Sequence, residues 1–107
     1  MAFKACIDAC DSAHRHCMEA AIHCMQQGGV GAEWELIQLL LDTADIAETA
    51  SDFMLRSSRQ HHLVCKVAGE IALRCAVACE KYADDDLRLD QTAKACREAV
   101  EACAHFA

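Results

Sequence analysis

A chain of 107 residues with no proline, four glycines and few aromatic residues has the size of one domain, residues 1–107, and the composition of helices throughout. Its formal charge of −7 provides no basic stripe to neutralise phosphates, which excludes nucleic acid and leaves cations as the ligands it would attract. No apolar run nears the roughly 20 residues of a membrane span, and the opening MAFKACIDAC lacks the apolar centre of a signal peptide. The expectation is a soluble, cytoplasmic protein whose thiols stay reduced.

The first predicted helix runs from Phe3 to Gln27. Cys6, Cys10, Cys17 and Cys24 fall four or seven residues apart, spacings that return to one helix face. With Phe3, Ala13 and Ala20 they complete an inward heptad seam built largely of sulfur. Gly28 and Gly29 mark the stop, because a helix end needing positive φ is easily supplied by glycine. The short link Gly28-Gly29-Val30-Gly31 turns the chain back into a second helix, Ala32 to Arg56, with the stripe Leu36, Ile37, Leu40, Thr43 or Ala44, Ala47, Ala50 and Met54. Its acids Asp42, Asp45, Glu48 and Asp52 are expected on the outer face. This helix carries no cysteine.

Ser57 and Ser58 are expected to break and recap the chain. The third helix spans Arg59 to Tyr82, with Cys65, Cys75 and Cys79 on one face. Within Asp84-Asp85-Asp86 an N-cap and dipole-compatible acids precede the fourth helix, Leu87 to Phe106, whose inner face holds Cys96 and Cys103. Four helices of similar length with short links predict an all-α, antiparallel up-down-up-down four-helix bundle. In that topology Cys6, Cys10, Cys65 and Cys103 share the end bearing the N-terminus, Cys17, Cys75 and Cys96 share mid-height, and Cys24 and Cys79 lie toward the far end.

One or two buried cysteines need no function, since a free thiol packs as a small hydrophobe. Nine on three aligned seams pack no better than alanine or valine and add oxidation risk, so packing alone is a poor account of them. The odd count and helical spacing also argue against a disulfide framework. A sulfur-lined core suits soft ions, and thiolates select Cu(I), Zn(II) or iron–sulfur clusters. There is no Cys-x-x-Cys, the spacing common in zinc and iron–sulfur sites, whereas pairs such as Cys6–Cys10 and Cys75–Cys79 suit the low coordination numbers of Cu(I). Cu(I) is therefore the expected ion, ahead of zinc or an iron–sulfur cluster.

The segments C-I-D-A-C from Cys6 to Cys10, D-T-A-D-I-A from Asp42 to Ala47 and C-A-V-A-C from Cys75 to Cys79, with the Cys96/Cys103 repeat, resemble the cysteine-rich four-helix-bundle copper storage proteins, a group formerly known as a domain of unknown function. The resemblance covers nearly the whole chain. It implies Cu(I) storage or buffering without catalysis by Cys6, Cys10, Cys17, Cys24, Cys65, Cys75, Cys79, Cys96 and Cys103, in a homo-oligomer, often a tetramer. About half of the thiols expected in that family are absent: Ala13, Ala20, Leu36, Thr43, Ala47, Ala68, Ala72 and Ala99 stand at candidate core positions. A lower capacity is expected.

His61, His62, His105 and Met54 are predicted at the N-terminal end of the first helix, where imidazoles and a thioether would admit copper. His14, His16 and His23 read as half-exposed interface residues, and Trp34 and Phe106 as end plugs or oligomer contacts. Two other readings accompany storage: a helical interaction or scaffold protein with passive core thiols, and a thiol-based redox protein or sensor. No activated thiol pattern, hydrolytic triad or phosphate loop marks an enzyme.

Overall fold

The computed structural model describes residues 2–28 and 33–107. Four helices follow one another, α1 (Lys4–Gln27), α2 (Trp34–Leu55), α3 (His61–Tyr82) and α4 (Leu87–Ala104). Each packs on its neighbours in chain order and α4 returns against α1. The result is the antiparallel up-down-up-down bundle, 43 × 17 × 17 Å. The end holding the starts of α1 and α3 is called upper, and the end holding the starts of α2 and α4 is called lower.

The helix boundaries follow local chemistry. Gly28 ends α1 at φ 71°, and its N–H donates to the Cys24 carbonyl at 3.1 Å. Gly29, Val30, Gly31 and Ala32, which complete the predicted link and open the predicted second helix, lie outside the described residues. Past α2, Ser57 takes the left-handed conformation at φ 51° that glycine usually occupies. Its N–H reaches the Met54 carbonyl at 3.0 Å and that of Ser58 reaches Phe53 at 2.9 Å, the paired bonds that close a helix C-terminus. The Ser58 hydroxyl then accepts from the Gln60 N–H at 3.1 Å. That turn displaces the start of α3 from the predicted Arg59 to His61. Asp86 accepts from the N–H groups of Arg88 at 3.0 Å and Leu89 at 3.3 Å, the predicted cap of α4. The fourth helix stops at Ala104 rather than Phe106 because its last amides tighten to three-residue bonds, His105 to Ala102 and Phe106 to Cys103.

The apolar stripe of α2 closes the cysteine-bearing helices. Leu36, Leu40 and Met54 are fully buried there, while Asp42, Asp45, Glu48 and Asp52 are exposed. Because most inner positions of the other helices hold a thiol or an alanine, the leucines of α2 supply much of the core volume. Leu40→Ala should therefore cost about 3–5 kcal/mol of a total near 5–15 kcal/mol. Chemical denaturation of the metal-free protein checks this, and a loss below about 1 kcal/mol would mean that the site collapses around the smaller side chain.

Polar links between helices lie at the surface. The His14 ring nitrogen Nδ1 lies 2.8 Å from the Ala44 carbonyl across α1 and α2. Arg97 holds Glu80 with two 2.7 Å bonds across α3 and α4, and Arg88 meets Glu19 at 3.1 Å across α4 and α1. These pairs are half-exposed, and solvent screening leaves them weak. The bundle is held chiefly by its interior.

Candidate metal centre

All nine cysteines are buried and carry free thiols. They fall into two groups. In the upper one, Cys103 on α4 lies 3.8 Å from Cys6 and 3.7 Å from Cys10, both on α1, sulfur to sulfur. Cys65 on α3 completes the surroundings of Cys6. In the lower group, Cys17 on α1 lies 3.6 Å from Cys96 on α4, with Cys75 from α3 making the third member. Cys79 lies one turn further along α3, buried on the same face as Cys75. It thus joins the mid-height set as well as sharing the lower end with Cys24.

Within each trio, Cys6–Cys10–Cys103 and Cys17–Cys75–Cys96, all sulfur atoms lie within 4.8 Å of one another. Two metal–thiolate bonds of about 2.3 Å span a similar distance, so each trio can close on one ion with little movement. The only buried polar side chains among the described residues are Thr43, Ser51 and Thr92. A core with three-sulfur pockets and no buried carboxylate suits a soft monovalent cation better than a hard divalent one.

The thiols also share charge. The neighbouring Cys10 and Cys103 hold Cys6 down to about 4, with a further contribution from His105. Cys10 is pushed up to about 12: Cys103 favours its thiolate, but the neighbouring Cys6 and burial outweigh that. Burial, followed by the charge on Cys6, raises Cys65 to about 11. In the lower group, bonds from Cys17, Cys79 and Cys96 pull Cys75 well below the usual thiol range, while Cys17 is driven upward by Cys75 and Cys96. Within each group the ionisations are coupled, one sulfur favouring the thiolate and its neighbours held protonated.

At pH 7 the metal-free folded protein should thus show about two thiolates by ultraviolet absorbance, with further ionisation of the upper group delayed to about pH 11–12. A single step of nine groups near the ordinary 9.0 would refute this sharing. Stability follows by linkage. Cys10 and Cys65 contribute fully below pH 9.0 and lose that contribution as pH climbs through about 11 to 12. Cys6 acts oppositely, contributing above 9.0 and fading as pH falls toward 4. The metal-free protein should be most stable near pH 9, as denaturation across the alkaline range will test.

Thr43 gains a role that its helical periodicity alone did not reveal. Its hydroxyl is buried without a hydrogen-bond partner among the described residues, and it acts on Cys75 in favour of the thiolate. A threonine on an otherwise apolar stripe was the available signal, but the spacing could not show which sulfur it faces.

The residues predicted to admit copper collect at the upper end in different environments. The His61 ring packs on Phe3 at 4.8 Å and Phe106 at 6.2 Å, and its Nδ1, rather than Nε2, lies 2.9 Å from the Ser58 carbonyl. His62 is exposed 5.9 Å from His61, and His105 is exposed after α4. Met54 is wholly buried in the same cluster as Cys6, Cys10, Cys65 and Cys103. Phe106 and Phe3 meet at 4.9 Å and close this end as a plug, whereas Trp34 is exposed. His14, His16 and His23 are half-buried on the flanks of α1, and His23 Nε2 lies 3.1 Å from Asp86.

A four-helix bundle with thiol trios in its core defines a class of helical thiolate metal-binding proteins. The family model for copper storage proteins matches residues 1–107, and the chain belongs to that family. Among solved structures, the Cu(I)-bound copper storage protein BsCsp3 is similar at a TM-score of 0.90 and 27% identity, over 96% of that chain and 97% of this one. The Nmul_A1745 protein from Nitrosospira multiformis is similar at a TM-score of 0.80 and 32% identity, over 95% of that chain and 96% of this one. No curated protein matches significantly. Family and Cu(I)-bound neighbour together support Cu(I) as the ion and storage as the function, and the buried trios can hold it.

Proposed function

We propose that this chain stores or buffers Cu(I) as a single bundle domain, using Cys6, Cys10, Cys17, Cys24, Cys65, Cys75, Cys79, Cys96 and Cys103 as its ligands. The observation that carries the assignment is the pair of buried trios whose sulfurs lie within 4.8 Å of one another. The ion itself is cargo, and the protein's contribution is to hold sulfur donors at bonding separation in a space that water and hard ligands do not enter. His61, His62 and His105, with Met54 beneath them, form the rim through which copper reaches the upper trio. An imidazole–thioether–thiolate sequence passes the ion to progressively softer donors.

Storage in the cytoplasm as a homo-oligomer, with a tetramer as the expected form, completes the reading. Reduced thiols suit that compartment, and no described helix is long and apolar enough to cross a membrane. Met18, Ile22 and Met25 on α1 and Leu63, Val67, Leu73 and Val77 on α3 are exposed, apolar surface that a second copy would cover. No catalytic role is assigned.

Anaerobic titration of the reduced protein with Cu(I) against a chromophoric chelator, with thiols counted on the same sample, tests the proposal. Uptake of several ions per chain is expected. If the chelator retains the copper, the thiols are core packing, and the passive scaffold becomes the better reading.

A further inference from the structure

We propose that the store is divided into two compartments that do not exchange copper through the core, and that the lower one is loaded from its own end through a cavity lined by His23, Cys24 and Asp86. This rests on the storage reading above and concerns how the store is organised.

The sulfur partners are disjoint. Cys103 reaches Cys6 and Cys10, Cys17 reaches Cys96, and the buried core separates into one cluster with Cys6, Cys10, Cys65 and Cys103 and another with Cys17, Cys24, Cys75, Cys79 and Cys96. Between them lie Ala13 on α1, Ala47 on α2, Ala68 and Ala72 on α3 and Ala99 on α4, all buried. On α1 and on α4 the step between groups is seven residues, about 10.5 Å along the helix. A migrating ion that keeps two sulfur ligands can bridge only about 4.6 Å, twice a metal–thiolate bond of about 2.3 Å. Methyl groups supply no donor in the interval. Copper admitted at the upper histidines has no ligand path to Cys17.

The lower compartment has its own approach. A cavity of about 210 Å³ lies where α1, α3 and α4 meet at the lower end, and His23, Cys24, Tyr82, Asp84, Asp86 and Leu89 are among its lining residues. His23 and Asp86 line it about 30% exposed, 3.1 Å apart, while Cys24 beside them is 1% exposed. The His23 imidazole at the surface, partnered by Asp86, and the Cys24 thiol beneath it make a series of increasing softness at the opposite pole from the upper rim. Cys24 and Cys79 are buried in one core cluster with Cys17, Cys75 and Cys96, and Cys79 lies one turn from Cys75 on the same face of α3. The ligand path is therefore Cys24, Cys79 and the Cys17–Cys75–Cys96 trio. Each transfer exchanges one thiolate for another on Cu(I), with the proton of the incoming thiol passing to the sulfur released and no change in oxidation state.

The test uses two single-compartment proteins. A lower-only protein carries Cys6→Ala, Cys10→Ala, Cys65→Ala and Cys103→Ala, and an upper-only protein carries Cys17→Ala, Cys24→Ala, Cys75→Ala, Cys79→Ala and Cys96→Ala. Where such a variant loses its helical circular dichroism, Cys103→Ala or Cys75→Ala alone takes its place. Cu(I) capacity and the rate of transfer from a chromophoric Cu(I) chelator are measured anaerobically. Separate compartments predict that the two capacities sum to that of the parent. They also predict that His23→Leu slows loading of the lower-only protein about tenfold more than that of the upper-only protein, the lower end of the range for losing a residue that supports a metal site. A lower-only protein that takes up no copper while the parent fills overturns the division, as does equal slowing of both proteins by His23→Leu. Failure of the parent to take up any copper would instead overturn the storage reading on which the division rests.

Discussion

Cys103→Ala should abolish copper binding by the upper trio and leave the lower trio filled. Cys103 is the member from which both other sulfurs of the trio are measured, 3.8 Å to Cys6 and 3.7 Å to Cys10. Cys6 and Cys10 sit on one helix, so without Cys103 no sulfur from α4 faces them. Loss of a direct ligand should weaken the site by more than the 10–100-fold typical of residues that only support one. The folding cost is smaller, near 1 kcal/mol, because the change removes one buried atom about the size of a methylene. Capacity should therefore fall while the helical content and cooperative unfolding remain. Cys75→Ala should do the same to the lower trio, with the added effect that the Thr43 hydroxyl loses the sulfur it faces. Chelator-competition titration of both variants checks this, and an unchanged ion count in either one would remove that trio from the mechanism.

Copper loading should also raise thermal stability by a large margin. A ligand that binds only the folded state stabilises it by about 4 kcal/mol when its free concentration is a thousandfold above the dissociation constant. For a domain of this length each kcal/mol is worth about 4 °C or more, so each filled trio should raise Tm by about 15 °C. The upward shift should be halved in Cys103→Ala, which retains one trio. The comparison is made by anaerobic calorimetry of metal-free and Cu(I)-loaded protein at one pH. The readout is independent of any chelator. A loaded protein melting with the metal-free one would place the bound copper outside the core, on ligands that the unfolded chain keeps. Metal removal by excess chelator should return Tm to the metal-free value.

How much of this was legible beforehand depends on the kind of order involved. Helical periodicity is a property of consecutive residues, so the inward direction of Cys6, Cys10, Cys17 and Cys24 on α1 and of Cys96 and Cys103 on α4 could be read directly. The stops were equally local: Gly28 at positive φ and Asp86 on the first amides of α4. The start of α3 was not, because Arg59 and Gln60 have ordinary helix propensities and are held out of the helix by the Ser57–Ser58 turn. The helix-spacing argument likewise could not separate Trp34, which is exposed, from Phe106, which packs on Phe3.

The sequence alone determined that this is a helical bundle with a thiol-rich interior, because a period of 3.6 residues and short links leave few other ways to bury those faces. The resemblance to copper storage proteins rested on motifs spread over nearly the whole chain, and the family model matches residues 1–107. The up-down topology already grouped Cys6, Cys10, Cys65 and Cys103 at one end and Cys17, Cys75 and Cys96 at mid-height, and tertiary structure decided which of these sulfurs come within bonding distance. The axial offset of one helix against another is set by how side chains interdigitate across the interface, and spacing within a helix carries no record of it. That offset places Cys103 opposite Cys6 and Cys10 and brings Cys75 against Thr43. It also sets a belt of alanines between the two groups of thiols.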